Sequence, residues 1–133
     1  MRQLMGLIAV MIGLAAPASG QSAAIQSVIS AQIADFQADD FDAAFEHASR
    51  RIQGWFVTPQ NFGAMVRQAY PMVHRPREFR FLDLQAREAG LNQIVAITDA
   101  SGHSFLLRYE MIVSDRGWKI DGVYILPPQD LAT

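Results

Sequence analysis

The spacing of apolar positions changes once along the chain, near residue 78, dividing it into a helical first half and a stranded second half. From Ala23 to Ala38, Ile25, Val28, Ile29, Ile33 and Phe36 recur at spacings of three and four, with Gln26, Ser30, Gln32 and Asp35 between them. That pattern predicts an amphipathic helix of about four turns. Asp39-Asp40 reads as a break and restart, because short acids suit an N-cap and the positive end of a helix dipole. A second, shorter helix follows, with Phe41, Ala44, Phe45 and Ala48 as its apolar stripe. Arg51 to Val57 reads as a connector with a brief strand at Trp55-Phe56-Val57. Thr58-Pro59 starts a third helix, Thr58 as cap and Pro59 at the first position, where a missing N–H costs nothing. This helix turns Phe62, Met65, Val66 and Ala69 inward and ends near Tyr70, because Pro71 disfavours helical geometry in the residue before it. Met72 to Arg75, bracketed by Pro71 and Pro76, reads as extended.

Beyond residue 78 the period is two. Glu78 to Leu84, Leu91 to Asp99, His103 to Val113 and Trp118 to Leu126 read as four strands, separated by polar, glycine-containing turns. Connections this short join antiparallel neighbours, so a meander is expected. The expected fold is therefore α+β: three N-terminal helices packed on a curved, four-stranded, mainly antiparallel sheet. In the third strand Phe105, Leu107, Tyr109, Met111 and Val113 share one face. Strict alternation in the fourth puts Trp118, Ile120, Tyr124 and Leu126 toward the helices, with Gly122 as a gap in that row and Asp121 facing away. The same parity gathers Leu106, Ile112, Val123 and Ile125 on the outer face. Either a partner covers this patch or the sheet curls over itself; such a patch is uncommon on a monomer, so a homodimer through it is expected.

Composition adds export. Residues 1–20 have one positive charge at Arg2, an apolar run from Leu4 to Ala16, and then Pro-Ala-Ser-Gly, the layout of a secretory signal peptide. The run is about 13 residues against the roughly 20 that a spanning helix needs. The expected organisation is a signal peptide at 1–20, cut after Ala18 or Gly20, and a single domain at 21–133 in the periplasm or secreted, with no membrane span after cleavage. There is no Cys, which rules out disulfides and a lipid-anchored lipoprotein. Loss of Arg2 takes the net charge from −2 to −3. That mild acidity argues against a nucleic-acid partner, which calls for a basic face.

The chemistry-bearing residues are sparse. Asp39, Asp40 and Asp42 lie close together, but Phe41 and Phe45 interrupt the run and no glycine makes a calcium-loop turn, so they read as caps and a solvated face. His74 with Arg75, Arg77 and Arg80 suggests an anion site, against the simpler reading of surface charge offsetting the acidic helical half. No nucleophile elbow, zinc-protease pair, Cys nucleophile or phosphate loop is present. No catalytic residue, metal site or cofactor is therefore assigned. The inward polar candidates are Tyr109, Tyr124 and His103. Trp55, Tyr70, Tyr109, Trp118, Gly122 and Tyr124 are candidates to line a pocket for a small apolar ligand, the alternative being that these aromatics fill the core.

Three helices, a curved antiparallel sheet and the closing Gly-Trp-Lys-Ile-Asp-Gly-Val at Gly117 to Val123 resemble the nuclear transport factor two-like (cystatin-like) superfamily. Asp39-Asp40-Phe41, Ala43-Ala44-Phe45, Phe62-Gly63-Ala64-Met65-Val66 and Tyr70-Pro71-Met72-Val73, together with that ending, resemble an exported bacterial family known as domain of unknown function 4864, over Ile25 to Leu126. The resemblance implies a cone of helices and sheet around an interior that holds an active site, a ligand or core side chains. Fold alone does not choose among them. The expected function is a non-catalytic binding or dimerising interaction module. The alternative is an acid–base enzyme of the isomerase or dehydratase type, using the cone interior.

Overall fold

The computed structural model describes residues 16–128. Helices come first and strands follow: α1 (Ala16–Gln37), α2 (Phe41–Glu46), α3 (Arg50–Phe56), α4 (Pro59–Ala69), α5 (Pro71–His74), then β1 (Pro76–Arg87), β2 (Gly90–Asp99), β3 (Ser104–Ser114) and β4 (Gly117–Ile125). The strands form one antiparallel sheet in the order β1-β2-β3-β4. Of the segment expected as a signal peptide, residues 1–15 lie outside the described residues and 16–20 lie in α1. No helix among the described residues is long and apolar enough to cross a membrane.

The sequence signals explain most boundaries. Asp40 caps α2 by accepting from the Ala43 N–H, and Thr58 caps α4 by accepting from the Asn61 N–H, with Pro59 in the first turn. The period-3.6 stripe of α1 buries Ile25, Ile29, Ile33 and Phe36 against Val95, Ile97, Leu107, Tyr109, Met111 and Ile120 of the sheet. Phe62 of α4 stands at the centre of an aromatic cluster, with ring centroids 5.8 Å from Phe36, 5.3 Å from Phe45 and 5.6 Å from Phe56. Helices α2 and α4 approach closely at Gly63, where a Cβ would lie 2.6 Å from the Phe41 ring.

Two local expectations are corrected. Arg50 to Phe56 is a helix, not a connector with a strand: Ser49 caps it through the Ile52 N–H, a signal that bulky Trp55 and Phe56 beside Gly54 obscure. Pro71 to His74 is a single helical turn, not extended, with Pro71 opening it. The chain between α2 and α3 also extends the sheet, since Ile120 N–H donates to the His47 carbonyl at 2.9 Å and Ser49 N–H to the Ile120 carbonyl at 2.8 Å. This short parallel bridge covers part of the β4 edge. At the other edge, β1 is bulged between Phe81 and Leu84. Buried Gln93 of β2 fastens the bulge, its Nε2 donating to the carbonyls of Leu82 and Asp83 at 3.0 and 3.2 Å.

Candidate functional site

Between the helices and β3–β4 lies a cavity of about 210 Å³. Its wall is formed by Gln32 and Phe36 of α1, Ala48, Ile52, Trp55 and Phe56 in and before α3, and Phe62, Met65 and Val66 of α4. Tyr70, Val73, Tyr109 and the β4 run Ile120 to Tyr124 complete it. Five of the six residues singled out in the sequence line this cavity: Trp55, Tyr70, Tyr109, Gly122 and Tyr124. Trp118 does not. It is partly buried against the core at the far end of β4, opposite Val113.

The β4 side of the wall departs from strict alternation. Glu110 pairs with Gly122 and Met111 with Ile120, so Asp121 is an extra residue in a β-bulge. Every residue after it therefore reverses face. Val123 and Ile125 stand in register with Tyr109 and Leu107 on the helix side, while Tyr124 pairs with Arg108. Tyr124 is 42% exposed, and the Arg108 guanidinium sits 4.9 Å from its ring centroid. Gly122 faces the same way, since a Cβ there would meet the Tyr124 ring at 3.0 Å and Glu110 Oε1 at 3.3 Å. This single inserted residue splits both expected groups: Gly122 and Tyr124 leave the inward row of Trp118 and Ile120, and Val123 and Ile125 leave the outer patch of Leu106 and Ile112. Leu106 and Ile112 alone keep the outer orientation. The sequence signal for the bulge is the isolated Gly122 after Asp121 inside a strand pattern.

Asp121 is buried rather than outward in solvent, its side chain only 11% exposed. Oδ1 accepts from the Ser49 hydroxyl at 2.7 Å and from Arg51 Nε at 3.2 Å, and Oδ2 accepts from Arg51 Nη2 at 2.9 Å. The same Nη2 donates to the Asp121 carbonyl at 2.7 Å. Burial works against the charged carboxylate, but the hydrogen bonds from Arg51 and Ser49 outweigh it and hold the carboxyl below its usual range. Arg51 in turn stacks on Trp55, 4.6 Å from the ring centroid, so the Asp121 ion pair positions an indole that is 61% exposed at the cavity opening. One residue after α3's last turn, Val57 has φ +72° and ψ −47°. A tight turn follows, in which Thr58 N–H donates to the Phe56 carbonyl at 2.8 Å.

The remaining polar groups of the wall differ in how they are satisfied. Tyr70 donates its hydroxyl to the Val123 carbonyl at 2.8 Å, and Gln32 Nε2 donates to the Ala44 carbonyl at 3.0 Å. Tyr109 is fully buried, and no described protein group pairs with its hydroxyl. Burial first, and then the nearby Tyr70, push its phenol pKa well above the ordinary value.

The other sequence candidates lie elsewhere. His74 Nε2 and Arg75 Nη2 both contact Asp39, at 2.8 and 3.0 Å, where the basic segment meets the acidic helical half. His103 is an exposed turn residue beside Asp99. Among the described residues no group of three or more His, Cys, Asp or Glu side chains is placed to hold a metal ion. Sequence reasoning did not identify the Ser49–Arg51–Asp121 group, because Asp121 lies 70 or more positions from Ser49 and Arg51 and meets them at the bulge. The model of the family described as a domain of unknown function (DUF4864) matches residues 18–133, and the chain belongs to that family. No curated protein and no solved structure matches it.

Proposed function

We propose that this member of the DUF4864 family is a non-catalytic binding module that holds a small, largely apolar molecule in a cone of the nuclear transport factor two-like kind. The observation that carries the reading is the cavity itself: about 210 Å³ of space in a domain of this size, walled almost entirely by apolar side chains. Protein interiors are otherwise packed like organic crystals, with few voids larger than a water molecule. An engineered apolar cavity of about 150 Å³ takes up benzene, so a space of this size has room for a substituted ring.

Holding is favoured over converting by the state of Asp121. An acid–base enzyme needs a titratable group with a free lone pair or proton beside the substrate, its pKa shifted toward neutrality. The carboxylate in this wall is instead shifted away from neutrality, with both oxygens engaged by Ser49 and Arg51. A homodimer through the outer sheet face has less to rest on, because the bulge turns Val123 and Ile125 to the helix side.

The test is calorimetric titration of the protein with tetralin, an apolar bicycle that fits the space. Saturable binding is expected in the protein and loss of binding in Val123→Phe, whose ring would occupy the cavity. A protein that takes up no apolar bicycle, or binds equally well with the cavity filled, overturns the reading.

A further inference from the structure

We propose that the molecule held is uncharged and carries one hydrogen-bond acceptor, which the Tyr109 hydroxyl engages; this rests on the binding reading above. Tyr109 lies in the middle of β3, opposite Val123 and Gln93, and none of its surface is exposed. It lines the cavity, and its hydroxyl has no described protein partner. A buried hydroxyl without a partner destabilises a fold, and phenylalanine would fill the same space without that cost. The neighbouring phenol shows the ordinary solution, since Tyr70 donates to the Val123 carbonyl at 2.8 Å. Unlike Tyr70, Tyr109 has its donor uncommitted, and it is the tyrosine of the wall that is wholly buried.

The rest of the wall sets the charge of the ligand. An anionic ligand would lie in an apolar cavity beside the ionised Asp121, and Arg51 is already committed to that carboxylate at 2.9 Å. A cationic ligand would find Asp121 neutralised by the same pair. Either charge would be desolvated without a free counter-charge. Because burial keeps the Tyr109 phenol protonated through the neutral range, it acts as a donor, and the complementary ligand atom is an acceptor such as a carbonyl, ether or hydroxyl oxygen. The cavity volume of about 210 Å³ suits a molecule with roughly ten non-hydrogen atoms.

The experiment compares three bicyclic probes of similar size on the full chain: 1-tetralone with a carbonyl, tetralin with none, and 1-naphthoate with a charge. Tetralone is expected to bind about tenfold tighter than tetralin, the scale of one buried hydrogen bond. Naphthoate is expected to be the weakest. In Tyr109→Phe the tetralone advantage should vanish while tetralin affinity is retained, which also shows that the variant keeps its cavity. As an independent readout, the carbonyl stretch of bound tetralone should move to lower frequency in the parent protein and not in the variant. If tetralin binds as tightly as tetralone, if naphthoate binds best, or if Tyr109→Phe leaves the ratio intact, the ligand class is wrong although the module binds. If none of the three binds, the binding reading fails with it.

Discussion

The Ser49 hydroxyl links α3 to the β4 bulge. It accepts the Ile52 N–H at 3.3 Å as the cap of α3 and donates to Asp121 Oδ1 at 2.7 Å, across 72 residues of sequence. One oxygen thus fixes both the start of the helix that carries Trp55 and the position of the residue whose insertion reverses β4.

Ser49→Ala should therefore destabilise the protein by more than a cap alone. Loss of the cap and of a bond to a carboxylate together cost about 2 kcal/mol. Ser49→Thr, which keeps the hydroxyl, should recover most of it. Urea unfolding of the two variants checks the difference, and equal losses would refute the role assigned to the oxygen.

Acid stability should report on Asp121. Its carboxyl is held below the unfolded value of about 3.9, so the stability it contributes is fully present above that pH. It is lost as pH falls through the lower, folded value. The urea midpoint should be flat near neutrality and decline below about pH 4. Asp121→Asn should start lower at pH 7 and decline less steeply. Part of the slope should survive, because Asp39 and Asp99 are also held below the usual range, Asp39 by hydrogen bonds from His74 and Arg75 and Asp99 by the His103 and Ser101 backbone.

Val57 is a β-branched residue at φ +72°, a region that side chains branched at Cβ rarely enter, and it is 73% exposed, so packing does not compensate. Val57→Gly should raise stability by about 1 kcal/mol, the strain relieved exceeding the ordering entropy of glycine. Thermal melting decides this, and a fall in the midpoint would show that Val57 makes a contact worth more than its strain.

Filling the cavity separates binding from folding. Val123 faces Tyr109 across the β3–β4 pair and lines the space, so Val123→Phe places a ring in existing volume instead of displacing packed neighbours. Its cost should stay below the roughly 1 to 3 kcal/mol typical of overpacked cores. A larger loss by urea unfolding would mean that the space cannot be filled from β4.

Trp118 shows how far a strong sequence signal reaches. The Gly117-to-Val123 motif locates β4, and the alternation up to Ile120 gives the correct face for Trp118 and Ile120. It fails at the next residue, because period-two reasoning has no place for an extra residue without a partner. The helices with side-chain caps at Asp40 and Thr58 were legible for the converse reason: a cap and the apolar stripe after it act within a few residues.

The sequence by itself determined the α+β order, the meander, the aromatic set and most element boundaries, since these follow from periodicity, caps and turns that operate locally. Only the tertiary structure decided which of those aromatics meet. The bulge at Asp121, held by Ser49 and Arg51 from the other half of the chain, put Tyr124 in register with Arg108 and Val123 with Tyr109, whose hydroxyl has no described protein partner in the cavity wall. Those outcomes depend on hydrogen bonds between residues 70 or more positions apart, of which the local pattern offers only Gly122 as a mark of the bulge.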